Sequence, residues 1–286
     1  MPLRVETSVE ALRHALAALK SAGRRVGFVP TMGALHAGHA SLIHRARGEC
    51  HAVVASIFIN PTQFDRPDDL EDYPRTFDAD LALCRSLGVD VVFNPTAAEM
   101  YPSPDGCSID PGPVAQSCCG RYRPGHFRGV ATVVTKLLNI VQPDVAYFGE
   151  KDAQQLALVQ RLVADLNMPV TIVGVPTVRE PDGLAVSSRN AHLDATGRRL
   201  APALYGALCE AASCVPRGVV DPEAIARVAS ARIPSEDSVR LEYIEVVDPE
   251  YFRPVHRVTG PVIIAGAMWV GRTRIIDNVR CSPAAG

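Results

Sequence analysis

Val26-Gly27-Phe28-Val29-Pro30-Thr31-Met32-Gly33-Ala34-Leu35-His36-Ala37-Gly38-His39 is the stretch on which the fold turns. The apolar run at its start predicts a short strand over residues 25–29, broken at Pro30-Thr31. A glycine-bearing loop follows, and two histidines stand where the next helix begins. A helix N-terminus presents unpaired N–H groups and the positive end of the helix dipole, a setting that suits phosphate. Two imidazoles add donors that can follow charge as it builds on phosphorus, and Gly38 admits the backbone to the phosphates. The segment points to chemistry at a nucleotide phosphate, beyond merely holding one.

Outward from this stretch, helix-like and strand-like segments alternate as far as residue 175. Residues 38–49 read as a helix with Leu42, Ile43 and Ala46 on one face. Residues 52–59 are a continuous apolar, β-branched run, the pattern of a strand buried on both faces. Helices over 76–87, 130–141 and 153–167 interleave with strands over 89–93, 144–148 and 170–175. Repeated β-α-β order implies an α/β fold, a Rossmann-like doubly wound parallel sheet with its sites at the carboxyl ends of strands. His36 and His39, the stretch Asn60 to Gln63, and Gly149 to Asp152 all fall just past such ends.

After Thr177 the texture changes. Helices over 195–213 and 222–231 precede strands over 239–247, 261–270 and 274–281, which reads as a smaller α+β domain. Pro176, Pro181 and Gly183 mark the junction. The expected division is therefore 1–177 for a nucleotide- and substrate-binding domain and 178–286 for a C-terminal domain, within the usual domain sizes.

Composition excludes several classes. A formal charge of −2 over 286 residues provides no global basic field for nucleic acid. The opening Met1-Pro2-Leu3-Arg4-Val5-Glu6 lacks the apolar core of a secretory signal. No apolar run approaches the roughly 20 residues needed to cross a bilayer. A cytoplasmic protein with no membrane and no nucleic-acid partner is expected. Six of the eight cysteines are scattered singly and Cys118-Cys119 is vicinal, so neither a C-x-x-C metal pattern nor ordinary disulfide geometry is indicated.

Other constellations sit beside the histidine pair. Gly149-Glu150-Lys151-Asp152 places a lysine for phosphate charge and an aspartate that can accept from a sugar hydroxyl or cap the next helix. Val186-Ser187-Ser188-Arg189 offers two hydroxyls and a guanidinium to a triphosphate, or equally a helix-capping loop. Asn60 and Gln63 carry amides that can orient a small polar substrate, or serve a turn around Pro61. Asp78 and Asp80 can meet magnesium or complement a helix dipole; the dipole role is the reading taken for Asp80. Arg121, Arg123, His126 and Arg128 form a local basic run that reads as a solvated face or an anion attractor.

These residues together resemble one family, the pantothenate synthetases, or pantoate–β-alanine ligases, of the H-x-G-H nucleotidyltransferase superfamily. The resemblance runs through residues 30–39, 57–64, 72–75, 123–130, 147–155 and 187–190, nearly the whole chain. It implies condensation of pantoate with β-alanine, dependent on ATP and Mg2+, through a pantoyl adenylate, with release of AMP and pyrophosphate. By resemblance, Met32, Gly33, Ala34, Leu35, His36, Ala37, Gly38 and His39 bind ATP, with His39 the proton donor and His36 assisting. Gly149, Glu150, Lys151, Asp152, Val178, Val186, Ser187, Ser188 and Arg189 complete the nucleotide site. Lys151 and Arg189 join the two histidines in catalysis. Gln63 and Gln155 hold pantoate, and Gln63 lies where β-alanine arrives. The magnesium ligands are not identified. Val186 stands where the family usually has Met, with little loss expected. A homodimer and a lid role for the C-terminal domain are implied by the same resemblance. Two rivals remain at this point: a nucleotidyltransferase acting on a phosphorylated alcohol, and a catalytically silent nucleotide-binding module.

Overall fold

The structure is a computed structural model that describes residues 2–284. The chain forms two compact units. One comprises the chain up to Pro111 with Arg123–Glu150 and Leu158–Pro176; the other comprises Gly112–Tyr122, Lys151–Ala157 and the chain from Thr177. Two segments read from sequence as part of 1–177 thus group with the C-terminal unit. The reason lies in their bonds: Gln154 accepts from the Cys119 amide at 3.0 Å and donates to the Val114 and Ser117 carbonyls, and the Lys151 carbonyl accepts from Asn278.

The first unit is built on a six-stranded parallel sheet. Its strands are β1 (Arg4–Glu6), β2 (Val26–Thr31), β3 (Ala52–Ile57), β4 (Val91–Phe93), β5 (Val145–Gly149) and β6 (Thr171–Val175), in the order β1-β4-β3-β2-β5-β6. All six residues of β3 are buried, as its unbroken apolar sequence requires when both faces are covered. Chain order reverses between β2 and β5: β3, β4 and β1 lie on one side of β2, and β5 and β6 on the other. In doubly wound sheets that reversal opens a crevice at the carboxyl ends of the strands, where ligands bind.

Several boundaries differ from the sequence reading. β2 runs two residues past the expected break, with Pro30 opposite Ser56 of β3. Its pairing with β5 involves Gly27 and Phe28, so the N–H that Pro30 lacks removes no rung there. The helix expected over 130–141 begins at His126, because Gly125 at φ 80° turns the chain into it. The helix expected over 195–213 is two, Ala195–Leu200 and Ala203–Cys214, parted at Pro202. The short edge strand β1 and the Ser8-capped helix Val9–Ser21 add to the elements read from sequence.

The second unit carries an antiparallel sheet of β7 (Val239–Val247), β8 (Val262–Val270) and β9 (Thr273–Cys281) in that order. Helices Ala203–Cys214 and Pro222–Ser230 bury Leu204, Leu208, Ala211, Ile225 and Ala229 in one cluster with Ile264 and Met268 of β8. Gly266 is small for a reason: a Cβ there meets Leu204 at 3.0 Å and Leu208 at 3.3 Å.

Candidate active site

In the first unit, the segments read as functional follow the carboxyl ends of three adjacent strands. Residues 32–39 follow β2, Asn60 to Gln63 follow β3, and Glu150 follows Gly149 at the end of β5. His36 is the N-cap of helix Ala37–Glu49, and its Nδ1 accepts from the Gly38 amide at 3.1 Å. The His39 Nδ1 accepts from the His36 amide at 3.3 Å, which closes a capping box made of two imidazoles. Their ring centroids lie 4.1 Å apart. A neutral imidazole that accepts at Nδ1 carries its proton on Nε2. The cap therefore sets both rings in the same tautomer, with Nε2–H as the donor.

This geometry engages the amides of the loop before the helix and, of the helix-start amides, that of Gly38. The Gly33 amide bonds to Thr31 Oγ1 at 3.1 Å, and the amides of Ala34 and Leu35 bond to Asp80 at 3.0 and 2.8 Å. Those of His36 and Gly38 are spent on the imidazoles. The loop thus lacks the ring of unengaged amides that forms the cradle of a phosphate-binding loop; its amides are turned onto Thr31, Asp80 and the two imidazoles. Gly38 likewise serves the cap: a Cβ there would stand 2.9 Å from His36 Cε1.

Gln63, which follows β3, is held on both sides. Asn60, 1% exposed, donates through Nδ2 to Gln63 Oε1 at 3.0 Å and to the Gly129 carbonyl at 3.2 Å. Asn60 Oδ1 accepts from the Thr62 amide, the Thr62 hydroxyl and the Tyr101 hydroxyl, the last at 2.8 Å. Burial pushes the Tyr101 phenol up, so it remains a donor at neutral pH. With its oxygen occupied, Gln63 aims its amide nitrogen at Met32 Sδ, 3.2 Å away, which joins the β2 and β3 loops. Asn60 is thus a support for Gln63, with its own hydrogen-bonding capacity consumed.

Part of the basic run is spent on structure. Arg123 pairs with Asp65 at 2.8 Å and Asp69 at 3.5 Å, and His126 donates from Nδ1 to the Gln63 carbonyl at 2.7 Å. In the other unit Arg121 pairs with Glu245 at 3.2 Å. Arg121 and Arg128 remain exposed, as the solvated-face reading expects, whereas Arg123 and His126 are taken up by these contacts.

In the second unit, Lys151 and Asp152 occupy a single 3-10 turn, Glu150–Asp152, that leads into helix Ala153–Asp165. Lys151 Nζ lies 3.7 Å from Asp152 Oδ1. Gln154 is buried and structural, whereas Gln155 beside it is half-buried. Val178 and Val186 are brought together as the mouth of a hairpin, the Val186 amide donating to the Val178 carbonyl at 3.0 Å. Ser187 Oγ caps the 3-10 turn Ser188–His192 by accepting from the Arg189 amide at 3.3 Å. Beneath the hairpin Arg179 forks onto Asp277 at 2.6 and 2.9 Å, with its guanidinium 3.5 Å above the Tyr205 ring. Asn278 then holds the Lys151 carbonyl at 3.0 Å. Sequence reading missed Arg179, Asp277 and Asn278, which lie far apart along the chain and match no short motif.

A doubly wound parallel sheet with a paired-histidine cap at its switch point defines the class: an α/β fold with its ligand crevice at the carboxyl ends of the strands. Similarity to known proteins makes this specific. The chain belongs to the pantoate–β-alanine ligase family, whose model matches residues 4–280. It is 52% identical over 280 residues to a bifunctional pantoate ligase/cytidylate kinase of Synechococcus elongatus, covering 97% of this chain and 53% of that protein. The chain therefore spans about half the length of that bifunctional relative. The crystal structure of pantothenate synthetase from Thermus thermophilus matches with a TM-score of 0.90 and 43% identity, over 96% of this chain and 98% of that one. A pantoate–β-alanine ligase of Francisella tularensis, complexed with "Beta-gamma ATP" and β-alanine, matches with a TM-score of 0.80 and 35% identity over 97% of both chains.

Proposed function

We propose that this chain condenses pantoate with β-alanine at the expense of ATP. The observation that carries the reading is the imidazole capping box at the sheet's switch point, which fixes two imidazoles side by side in one tautomer. A carboxylate is a poor electrophile, so the reaction takes two steps. A pantoate carboxylate oxygen attacks the α-phosphorus of ATP, the bond to pyrophosphate breaks, and pantoyl adenylate forms. The β-alanine amine then attacks the acyl carbon, the C–O bond to AMP breaks, and the amine gives up its proton as the amide forms.

In the first step His39 and His36 donate to phosphate oxygens as negative charge builds there, an electrostatic role of the oxyanion-hole kind. Lys151 and Arg189 supply cations, and Ser187 and Ser188 hydroxyls, to the phosphates. Val178 and Val186 flank the nucleotide; a Val in place of Met at 186 is tolerated because its backbone is already fixed to Val178. Gln63 and Gln155 hold pantoate without adding charge, which favours a carboxylate acceptor over a phosphorylated one.

Among the described residues no three His, Cys, Asp or Glu side chains gather as a metal-holding group. Mg2+ is proposed as part of the MgATP substrate, held by phosphates and water. Among the described residues no helix is long and apolar enough to cross a membrane. A cytoplasmic location and a homodimer belong to this proposal on family resemblance.

The test is AMP formation from ATP, Mg2+, pantoate and β-alanine. His39→Ala should lower the rate by about 100-fold or more, the cost of losing one transition-state donor. No AMP from the wild-type chain would sink the reading.

A further inference from the structure

Asp80 is 3% exposed and lies in the first turn of helix Phe77–Ser86, where the dipole reading placed it. Its carboxylate does something more particular. Oδ2 accepts from the Ala34 amide at 3.0 Å, while Oδ1 accepts from the Leu35 amide at 2.8 Å and from the Thr76 hydroxyl at 3.2 Å. The residues it grips are conformationally unusual. Gly33 and Ala34 both have left-handed backbones, at φ 86° and 49°. For Ala34 that conformation is strained and persists only where its surroundings impose it. A Cβ on Gly33 would come within 3.0 Å of Asp80 Oδ2, so the turn is packed directly onto the acid. Leu35 is followed at once by His36, the cap of the next helix.

We infer that Asp80 is a positioning residue of the adenylation step: it holds the Gly33–Ala34–Leu35 turn in its left-handed form and so sets where His36 and His39 stand. The inference rests on the reading of residues 32–39 as the ATP segment. Two adjacent amides pointing one way need two acceptor atoms on one rigid group, and a carboxylate provides both. An asparagine of the same shape provides one, and turns an NH2 toward a backbone N–H.

The test is Asp80→Asn, assayed in each half-reaction. Pantoate-dependent exchange of pyrophosphate into ATP reports adenylation; β-alanine-dependent AMP release from preformed adenylate reports the second step. Exchange should fall by about 30- to 100-fold through kcat, the scale set by misplacing a catalytic group by about 1 Å. The KM for β-alanine should stay within about twofold, because uniform binding of the amine is untouched. Thr76→Val, which removes only the hydroxyl donor to Oδ1, should lower exchange by about threefold to tenfold, and it decides the matter if Asp80→Asn does not fold. Wild-type exchange in either folded variant, while His39→Ala loses it, overturns the inference and leaves the ATP reading standing. Equal losses in both half-reactions alongside a lowered Tm make Asp80 a structural residue and overturn it too. Wild-type exchange in His39→Ala itself would instead refute the reading of residues 32–39.

Discussion

Gly129→Ala tests how Gln63 is placed. Gly129 lies in helix His126–Val141, which packs against the Asn60 to Gln63 turn. A Cβ on Gly129 would stand 2.3 Å from the Thr62 carbonyl oxygen, 2.5 Å from its carbon and 2.7 Å from Gln63 Cα. Every one of those atoms is backbone, so no side chain can swing aside. Since carbon contacts ordinarily begin near ~3.4 Å, the turn must retreat by about 1 Å. Overpacking of this kind costs about 1–3 kcal/mol. The Asn60 bond to the Gly129 carbonyl adds about 1 kcal/mol when stretched. A loss of about 2–4 kcal/mol corresponds to a Tm lower by roughly 5–10 °C. Displacing Gln63 by about 1 Å should lower kcat/KM for pantoate by about 100-fold, or ~2.7 kcal/mol of transition-state stabilisation. The assays are thermal denaturation by circular dichroism and pantoate-dependent pyrophosphate exchange. An unchanged Tm would refute the close approach of helix and turn. A lowered Tm with kcat/KM within about threefold of wild type would refute the role of Gln63 in holding pantoate.

Three further outcomes follow from the same physical arguments. Gly206→Ala in helix Ala203–Cys214, where a Cβ meets nothing within 4 Å, should stabilise the chain by about 0.5–1 kcal/mol in urea denaturation and leave AMP formation at wild-type rate. Asp277→Ala leaves the half-buried Arg179 without its carboxylate and removes the acceptor of the Asn278 amide, and should cost about 3 kcal/mol; a Tm within about 2 °C of wild type would contradict the ion pair's role. Burial, helped by the charge of Asp80, pushes the Cys84 thiol from 9.0 to about 11. The unfolded chain then releases this proton first, so stability should decline as pH rises from 9 through about 11, with a shallower decline in Cys84→Ala.

Much of this molecule is written locally. β3 declares itself as an unbroken apolar run because a strand covered on both faces has no polar side to show. The alternation of strands and helices suffices for a parallel sheet, since parallel neighbours require a crossover between them. His36, His39, Gln63 and the serines of the hairpin segment lie in short contiguous motifs, so they are found by reading along the chain. The tertiary structure decided how those motifs are held, and the supports are remote in sequence. Asp80 reaches back 45 residues to the Leu35 amide, Gly129 lies 69 residues from the Asn60 it admits, and Asp277 is 98 residues from Arg179. Hydrogen bonds and close packing act through space, so no spacing along the chain announces these partners. The same limit explains the amides of the histidine loop. From sequence the helix-start donors read as unpaired; the fold engages the Gly38 amide with His36, and the amides of Gly33, Ala34, Leu35 and His36 just before the helix with Thr31, Asp80 and His39.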